Sequence, residues 1–239
     1  MSIKKYIPDF ITSMNVVFGI IGVVFAFKGR FEYAFYLMLA AAVFDFLDGF
    51  FARLLGAYSD LGKELDSLCD IVSFGVLPSV MLYKLMCTQM FAESVYCWIP
   101  LVMTVFGALR LAKFNVDKRQ SDSFLGLPVP ASALLCGSLC YYICHTPASF
   151  LSDWAAGPVF LPLLSVVLGV LMVSEIPMFS LKFHKEDSRV VKIKRLAFAA
   201  LAVLSAVICL LCSLNWSMAL VMTLACYILK NIIYAIVKI

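Results

Sequence analysis

Apolar residues recur along this chain in runs of membrane-spanning length, separated by short polar stretches. The runs fall near residues 15–27, 33–55, 65–87, 95–112, 128–145, 157–178, 196–212 and 215–236. A bilayer core takes about 20 predominantly apolar residues per helix, so the pattern predicts about eight transmembrane helices. Hydrocarbon offers no water to satisfy backbone N–H and C=O groups, which leaves helices as the reading for such runs. The expected fold class is an all-α, polytopic integral-membrane helical bundle.

Composition strengthens that reading. Of 239 residues, 63% are hydrophobic and only 14% charged, with mean hydropathy +0.98, which excludes an ordinary soluble domain. The net charge of +4 has no nucleic-acid meaning, because the basic residues segregate. Lys4, Lys5, Arg53, Lys63, Arg110, Lys113, Lys118, Arg119, Lys182, Lys185, Arg189, Lys192, Lys194, Arg195, Lys230 and Lys238 fall on one side of the predicted topology. Lys28, Arg30 and Lys84 fall on the other. The positive-inside rule then puts both termini at the cytoplasmic face of the inner (cytoplasmic) membrane, where the basic side attracts anionic lipid headgroups. The expected division is 1–14, a juxtamembrane segment; 15–178, the membrane core; 179–195, a basic cytoplasmic loop; and 196–239, two further transmembrane helices. The N-terminal segment is expected to be retained, since no small-residue cleavage site follows the apolar run ending at Phe27.

Against this apolar background one stretch is densely acidic. Asp45 and Asp48 are three residues apart, and Asp66 and Asp70 four apart, so each pair shares one face of a helix. Gly56, Ser59, Asp60 and Gly62 read as a turn, which would let two antiparallel helices bring the pairs into one four-carboxylate cluster. Such a cluster needs neutralising at low dielectric. Two divalent cations match it in charge, and an all-oxygen ligand set favours Mg²⁺, Mn²⁺ or Ca²⁺. Paired ions of this kind serve displacement at phosphorus. Gly49 would admit a ligand close to the backbone, and Arg53 would hold a phosphate.

Other residues carry less. Cys136, Cys140 and Cys144 lie at helical spacing and Cys209 and Cys212 form a CxxC inside an apolar run, where small apolar packing is the expected role. His145 and His184 fall on opposite predicted sides. Ser73–Pro78 (SFGVLP) carries a Gly and a Pro able to bend the Asp70 helix. Leu109–Asn115 (LRLAKFN) sets Arg110 and Lys113 at i, i+3 as a potential anion site, and residues 124–132 (FLGLPVPAS) read as a Gly/Pro-rich return into the membrane.

The run D-x2-D-G-x2-A-R-x8-G-x3-D-x3-D, filled at every fixed position between Asp45 and Asp70, resembles the signature of the CDP-alcohol phosphotransferases. The LRLAKFN and GLPVPA segments, with the spacing of Pro8, Thr12 and Asn15, are similar to the phosphatidylserine synthase branch; Lys113 stands where an arginine is commoner. The resemblance covers roughly residues 8–178, a six-helix core, and is silent on the last two helices. It implies transfer of the phosphatidyl group of CDP-diacylglycerol to the hydroxyl of L-serine with release of CMP. It further implies that Asp45, Asp48, Asp66 and Asp70 bind two Mg²⁺ or Mn²⁺ ions and that Asp70 is the general base. Gly49, Ala52, Arg53 and Gly62, with Thr12 and Asn15, would line the cytidine diphosphate pocket, and a homodimer is expected; the basic-residue asymmetry places the Asp cluster, with both termini, on the cytoplasmic side. Arg110 and Lys113 are expected at the serine carboxylate or a phosphate. Glycerol-3-phosphate and inositol phosphate are the alternative acceptors, and a cation transporter is the alternative from another class.

Overall fold

The computed structural model describes residues 6–89, 94–116, 124–178 and 189–237. Residues 6–14 do not stand apart: they are the first turns of one 22-residue helix, α1 (Tyr6–Phe27). Pro8 does not break it, because a proline in the first turn forfeits only an N–H that has no intrahelical partner. α2 (Phe31–Leu55) runs back antiparallel and ends at Gly56, whose φ of 60° turns the chain while its N–H caps Ala52 O and Arg53 O.

The turn between the two acidic pairs is shorter than the sequence implied. Ser59 is the N-cap of α3 (Asp60–Asp70), its hydroxyl accepting from Gly62 N at 2.9 Å, so Asp60 and Gly62 belong to the helix. Directly after Asp70 the helix widens into a π-helical turn, Ile71–Val76, and then continues as α4 (Leu77–Gln89). The widened turn leaves carbonyls to be satisfied from outside. Ser79 Oγ and Thr104 Oγ1 both donate to Gly75 O, at 2.7 and 3.2 Å. The segment expected to bend at Gly75 and Pro78 therefore changes its winding instead.

A 3-10 stretch, Val95–Leu101, leads into α5 (Val102–Val116). α6 (Val129–His145) is the central helix, burying 12 of its 17 residues against α2, α4 and the last helix. After a short α7 (Phe150–Ala155), α8 (Phe160–Val173) packs on α5. α9 (Arg189–Leu211) and α10 (Ser217–Val237) form a closing pair, with α10 seated on α6. A two-residue antiparallel ladder pairs β1 (Phe124–Leu125) with β2 (Pro177–Met178).

A helix occupies most of each of the eight predicted runs. Five lengths, Tyr6–Phe27, Phe31–Leu55, Asp60–Gln89, Val95–Val116 and Ser217–Val237, are long and apolar enough to cross a membrane; Val129–His145, Phe160–Val173 and Leu196–Leu211 are shorter apolar helices. The protein is an all-α integral membrane protein. The nine cysteines are free, and Cys136 and Cys140 are fully buried in the apolar core. Lys4, Lys5, Lys118, Arg119, Lys182, His184, Lys185 and Lys238, and most of the expected 179–195 loop, lie outside the described residues.

Candidate carboxylate site

α1, α2 and α3 meet at one end of the bundle, and the acidic residues are on the facing sides of the last two. Asp45 and Asp48 from α2 and Asp66 from α3 each offer an oxygen within 4.8 Å of the others. At an effective dielectric constant of about 20, two such charges repel by roughly 3 kcal/mol, which a proton or a cation would relieve. Asp48 is 6% exposed, and its Oδ2 is buried with no hydrogen-bond donor. Three clustered hard oxygens, one with an unsatisfied lone-pair direction, fit a divalent cation.

Asp70 is the fourth carboxylate, within electrostatic range of the other three. One helical turn beyond Asp66 and buried, it accepts a hydrogen bond from Asn15 Nδ2 at 3.1 Å on Oδ1. Asn15 is itself fixed, since Ser73 Oγ, from the π-helical turn, donates to its backbone oxygen at 3.0 Å. Gly19, one turn along α1, makes this approach feasible: a Cβ there would collide with Ser73 Oγ and with Ser73 Cα. Asn15, expected at the nucleotide pocket from the sequence, is thus also a partner of Asp70.

An open cleft of about 210 Å³ adjoins the trio, lined by Thr12, Asp48, Gly49, Ala52, Gly62 and Asp66 among others. A Cβ at Gly49 would meet nothing within 4 Å, so its backbone faces open space. Four of the six residues expected at the nucleotide pocket, Thr12, Gly49, Ala52 and Gly62, thus line one cleft. Arg53 is exposed at the end of α2, its Nε donating to Gly49 O at 2.9 Å, and does not line it. Pro8, Asp9, Tyr58, Ser59 and Lys63 also line the cleft and were not expected at the nucleotide pocket from the sequence; their turn and helix-start positions were legible, their shared opening was not.

Arg110 and Lys113 part company. Lys113 Nζ reaches outward to Glu175 Oε1 at 3.5 Å, an exposed pair of the kind that contributes little. Arg110 is 7% exposed, within electrostatic range of Asp70, and its Nε has no acceptor. α5 is tied to α3 at this end by Asn115, whose Nδ2 donates to Ser67 Oγ at 2.9 Å and Glu64 Oε2 at 3.3 Å, while Lys63 Nζ donates to its carbonyl at 3.1 Å. Asn115 closes the LRLAKFN run, and only the helix pairing reveals its bridging role.

A helical membrane bundle with carboxylates gathered beside a cleft at one end defines the class: a polytopic membrane protein with an acidic, cation-competent centre. The chain belongs to the CDP-alcohol phosphatidyltransferase family, which it matches over residues 5–170, and it is accordingly a transferase. It is similar to the CDP-diacylglycerol–serine O-phosphatidyltransferase of Methanocaldococcus jannaschii, 34% identical over 73% of this chain and 75% of that one. The proteins of the same name from Helicobacter pylori, at 36% over 71% and 70%, and Bacillus subtilis, at 31% over 77% and 96%, are comparably similar.

Proposed function

We propose that this chain transfers the phosphatidyl group of CDP-diacylglycerol to the hydroxyl of L-serine, forming phosphatidylserine and releasing CMP. The names of its relatives support the acceptor and the donor. The observation that carries the chemistry is the juxtaposition of three clustered carboxylates, a buried Asp70 held by Asn15, and a buried Arg110 with an unfilled donor.

In this reading Asp45, Asp48 and Asp66, with Asp70 at their margin, hold two Mg²⁺ or Mn²⁺ ions. When bound, such ions neutralise the diphosphate and the charge developing on the departing CMP phosphate. The cleft residues Thr12, Gly49, Ala52 and Gly62 receive the cytidine diphosphate, with Arg53 at its rim. Asn15, by donating to one Asp70 oxygen, orients the carboxylate and leaves its other oxygen to take the serine proton. The serine oxygen bonds to the β-phosphorus as the phosphorus–oxygen bond to CMP breaks, and the proton passes to Asp70. Arg110 holds the serine carboxylate, because a buried guanidinium donor without an acceptor is matched by an anionic ligand. Lys113, engaged by Glu175, has no part in it. The basic-residue asymmetry supports an acid end and termini facing the cytoplasm, and the family resemblance supports a homodimer.

The test is CMP release by purified protein with CDP-diacylglycerol and Mg²⁺ or Mn²⁺, comparing L-serine, glycerol-3-phosphate and inositol phosphate. Release with serine, lost in Asp70→Asn, is expected. Release with another acceptor and not with serine would overturn the serine assignment while leaving the family intact.

A further inference from the structure

Residues 189–239 lie beyond the stretch that matches the family, and they contain no Asp or Glu. α10 starts beside Trp216, which stacks on Tyr36 near the start of α2, so its C-terminal half lies toward the carboxylate end of the bundle. In that half an open groove of about 710 Å³, the size of an ordinary ligand site, is lined by both C-terminal helices. Phe198 and Leu201 line it from α9, and Cys226, Leu229 and Ile233 from α10. Leu229 and Ile233 are 57% and 59% exposed on a helix long and apolar enough to cross a membrane, so the groove faces lipid.

Lys230 lines the same groove. It is exposed and, among the described residues, makes no ion pair; neither α9 nor α10 carries a carboxylate to give it one. A cation on a membrane-spanning helix calls for a counter-charge or a place at the surface. Its depth follows from the antiparallel pairing of the two helices. Ser205 Oγ and Thr223 Oγ1 share a hydrogen bond of 2.8 Å, and Phe198 meets Tyr227 edge-on with centroids 5.6 Å apart. Continuing by less than a turn sets Lys230 level with Leu196, where the apolar length Leu196–Leu211 begins. The segment 189–195 just before it carries, in sequence, Arg189, Lys192, Lys194 and Arg195. Lys230 is thus at the boundary between apolar and basic chain, the depth of a phospholipid phosphate. From it the groove runs into the hydrocarbon past Leu229, Cys226 and Leu201.

We propose that the groove between α9 and α10 is a binding site for one anionic phospholipid, with an acyl chain between the two helices and the phosphate on Lys230. A second copy of this chain docked by the same face would bring another Lys230 and no carboxylate from α9 or α10. A lipid supplies both the chain that fills the groove and the missing anion. The site shares no lining residue with the carboxylate cleft, and it stands whichever acceptor the enzyme uses.

Native mass spectrometry of the full-length protein in neutral detergent, titrated with dioleoyl phosphatidylglycerol or dioleoyl phosphatidylcholine, tests this. Wild type is expected to hold one phosphatidylglycerol more tightly than phosphatidylcholine. Lys230→Gln should weaken phosphatidylglycerol roughly five- to tenfold, about what one lysine near a headgroup contributes, and leave phosphatidylcholine unchanged. Leu201→Trp and Ile233→Trp fill the groove from either helix and should each weaken both lipids; the second guards against a fold defect in the first. Retention of phosphatidylglycerol at wild-type affinity in Lys230→Gln, or in both tryptophan variants, would overturn the proposal. So would displacement of the lipid by inorganic phosphate, which would mark a simple anion site, or a dimer that both tryptophan variants abolish, which would make the groove a protein interface.

Discussion

The two ends of this bundle treat polar side chains in opposite ways. At the end away from the acidic residues, beyond most of the length of α2, polar groups satisfy one another. Tyr36 and Tyr141 share a hydrogen bond of 3.0 Å, His145 stacks on Tyr141 with centroids 4.1 Å apart and reaches Glu32 at 3.8 Å, and Trp216 lies over Tyr36 and Tyr141. At the acidic end three carboxylates crowd within 4.8 Å, Asp48 Oδ2 and Arg110 Nε are buried without partners, and the helix after Asp70 departs from α geometry. Polar groups that satisfy each other hold a fold together, while buried groups left unmatched by protein are open to a ligand. The contrast separates a structural end from a chemical one.

The largest expected effect comes from breaking the chemical end without touching its shape. Asp70→Asn keeps the oxygen that accepts from Asn15 and removes the proton-accepting charge, so kcat should fall by roughly 10² to 10⁴. Thermal stability in detergent should hold or rise, because one of several mutually repelling charges is gone. A variant that loses activity only in proportion to lost fold would erase the distinction between the ends.

Next is cation dependence. Saturating Mn²⁺ or Mg²⁺, at about a hundred times its dissociation constant, should stabilise the folded protein by roughly 3 kcal/mol, read as a rise in Tm after chelator treatment. Asp48→Asn should abolish most of that rise while leaving the chelated protein as stable as wild type. A rise that persists in Asp48→Asn would locate the cation elsewhere.

A smaller effect is expected where the two kinds of region meet. Gly19→Val forces a side chain into Ser73, which holds Asn15 and through it Asp70. Overpacking of this kind costs about 1–3 kcal/mol, and here the displaced residue also orients the candidate base. Activity measured well below Tm should drop beyond what the lost folded fraction explains, whereas a purely stability-linked loss would show that Asn15 does not orient Asp70.

The sequence made the helical runs legible because an apolar stretch of bilayer length has one solution, and it exposed the acidic residues because charge is conspicuous in such a chain. The seat of Asp70 was not legible: helical spacing puts Asp66 and Asp70 on one face, and only the packing of α1 brings Asn15 to Asp70. Arg110 and Lys113 likewise share a face by spacing, yet one is buried near Asp70 and the other meets Glu175. The π-helical turn depends on Thr104, on another helix, meeting Gly75 O, a tertiary bond no local pattern announces.

The mildest perturbation tests the structural end by itself. Tyr141→Phe removes the hydroxyl shared with Tyr36 but keeps the ring against Phe35, Trp216 and His145. A hydrogen bond of this type contributes about 0.5–1.5 kcal/mol net, so Tm in detergent should fall by a few degrees. The nearest carboxylate of the acidic site, Asp45 on α2, is nine residues along the helix from Tyr36, about 13 Å at 1.5 Å per residue. Substitutions so separated and sharing no partner act independently, so KM for serine and kcat should stay within about twofold of wild type. A tenfold loss of activity at an unchanged Tm would instead mean that α2 carries displacements from one end to the other, and that the two ends are a single mechanical unit.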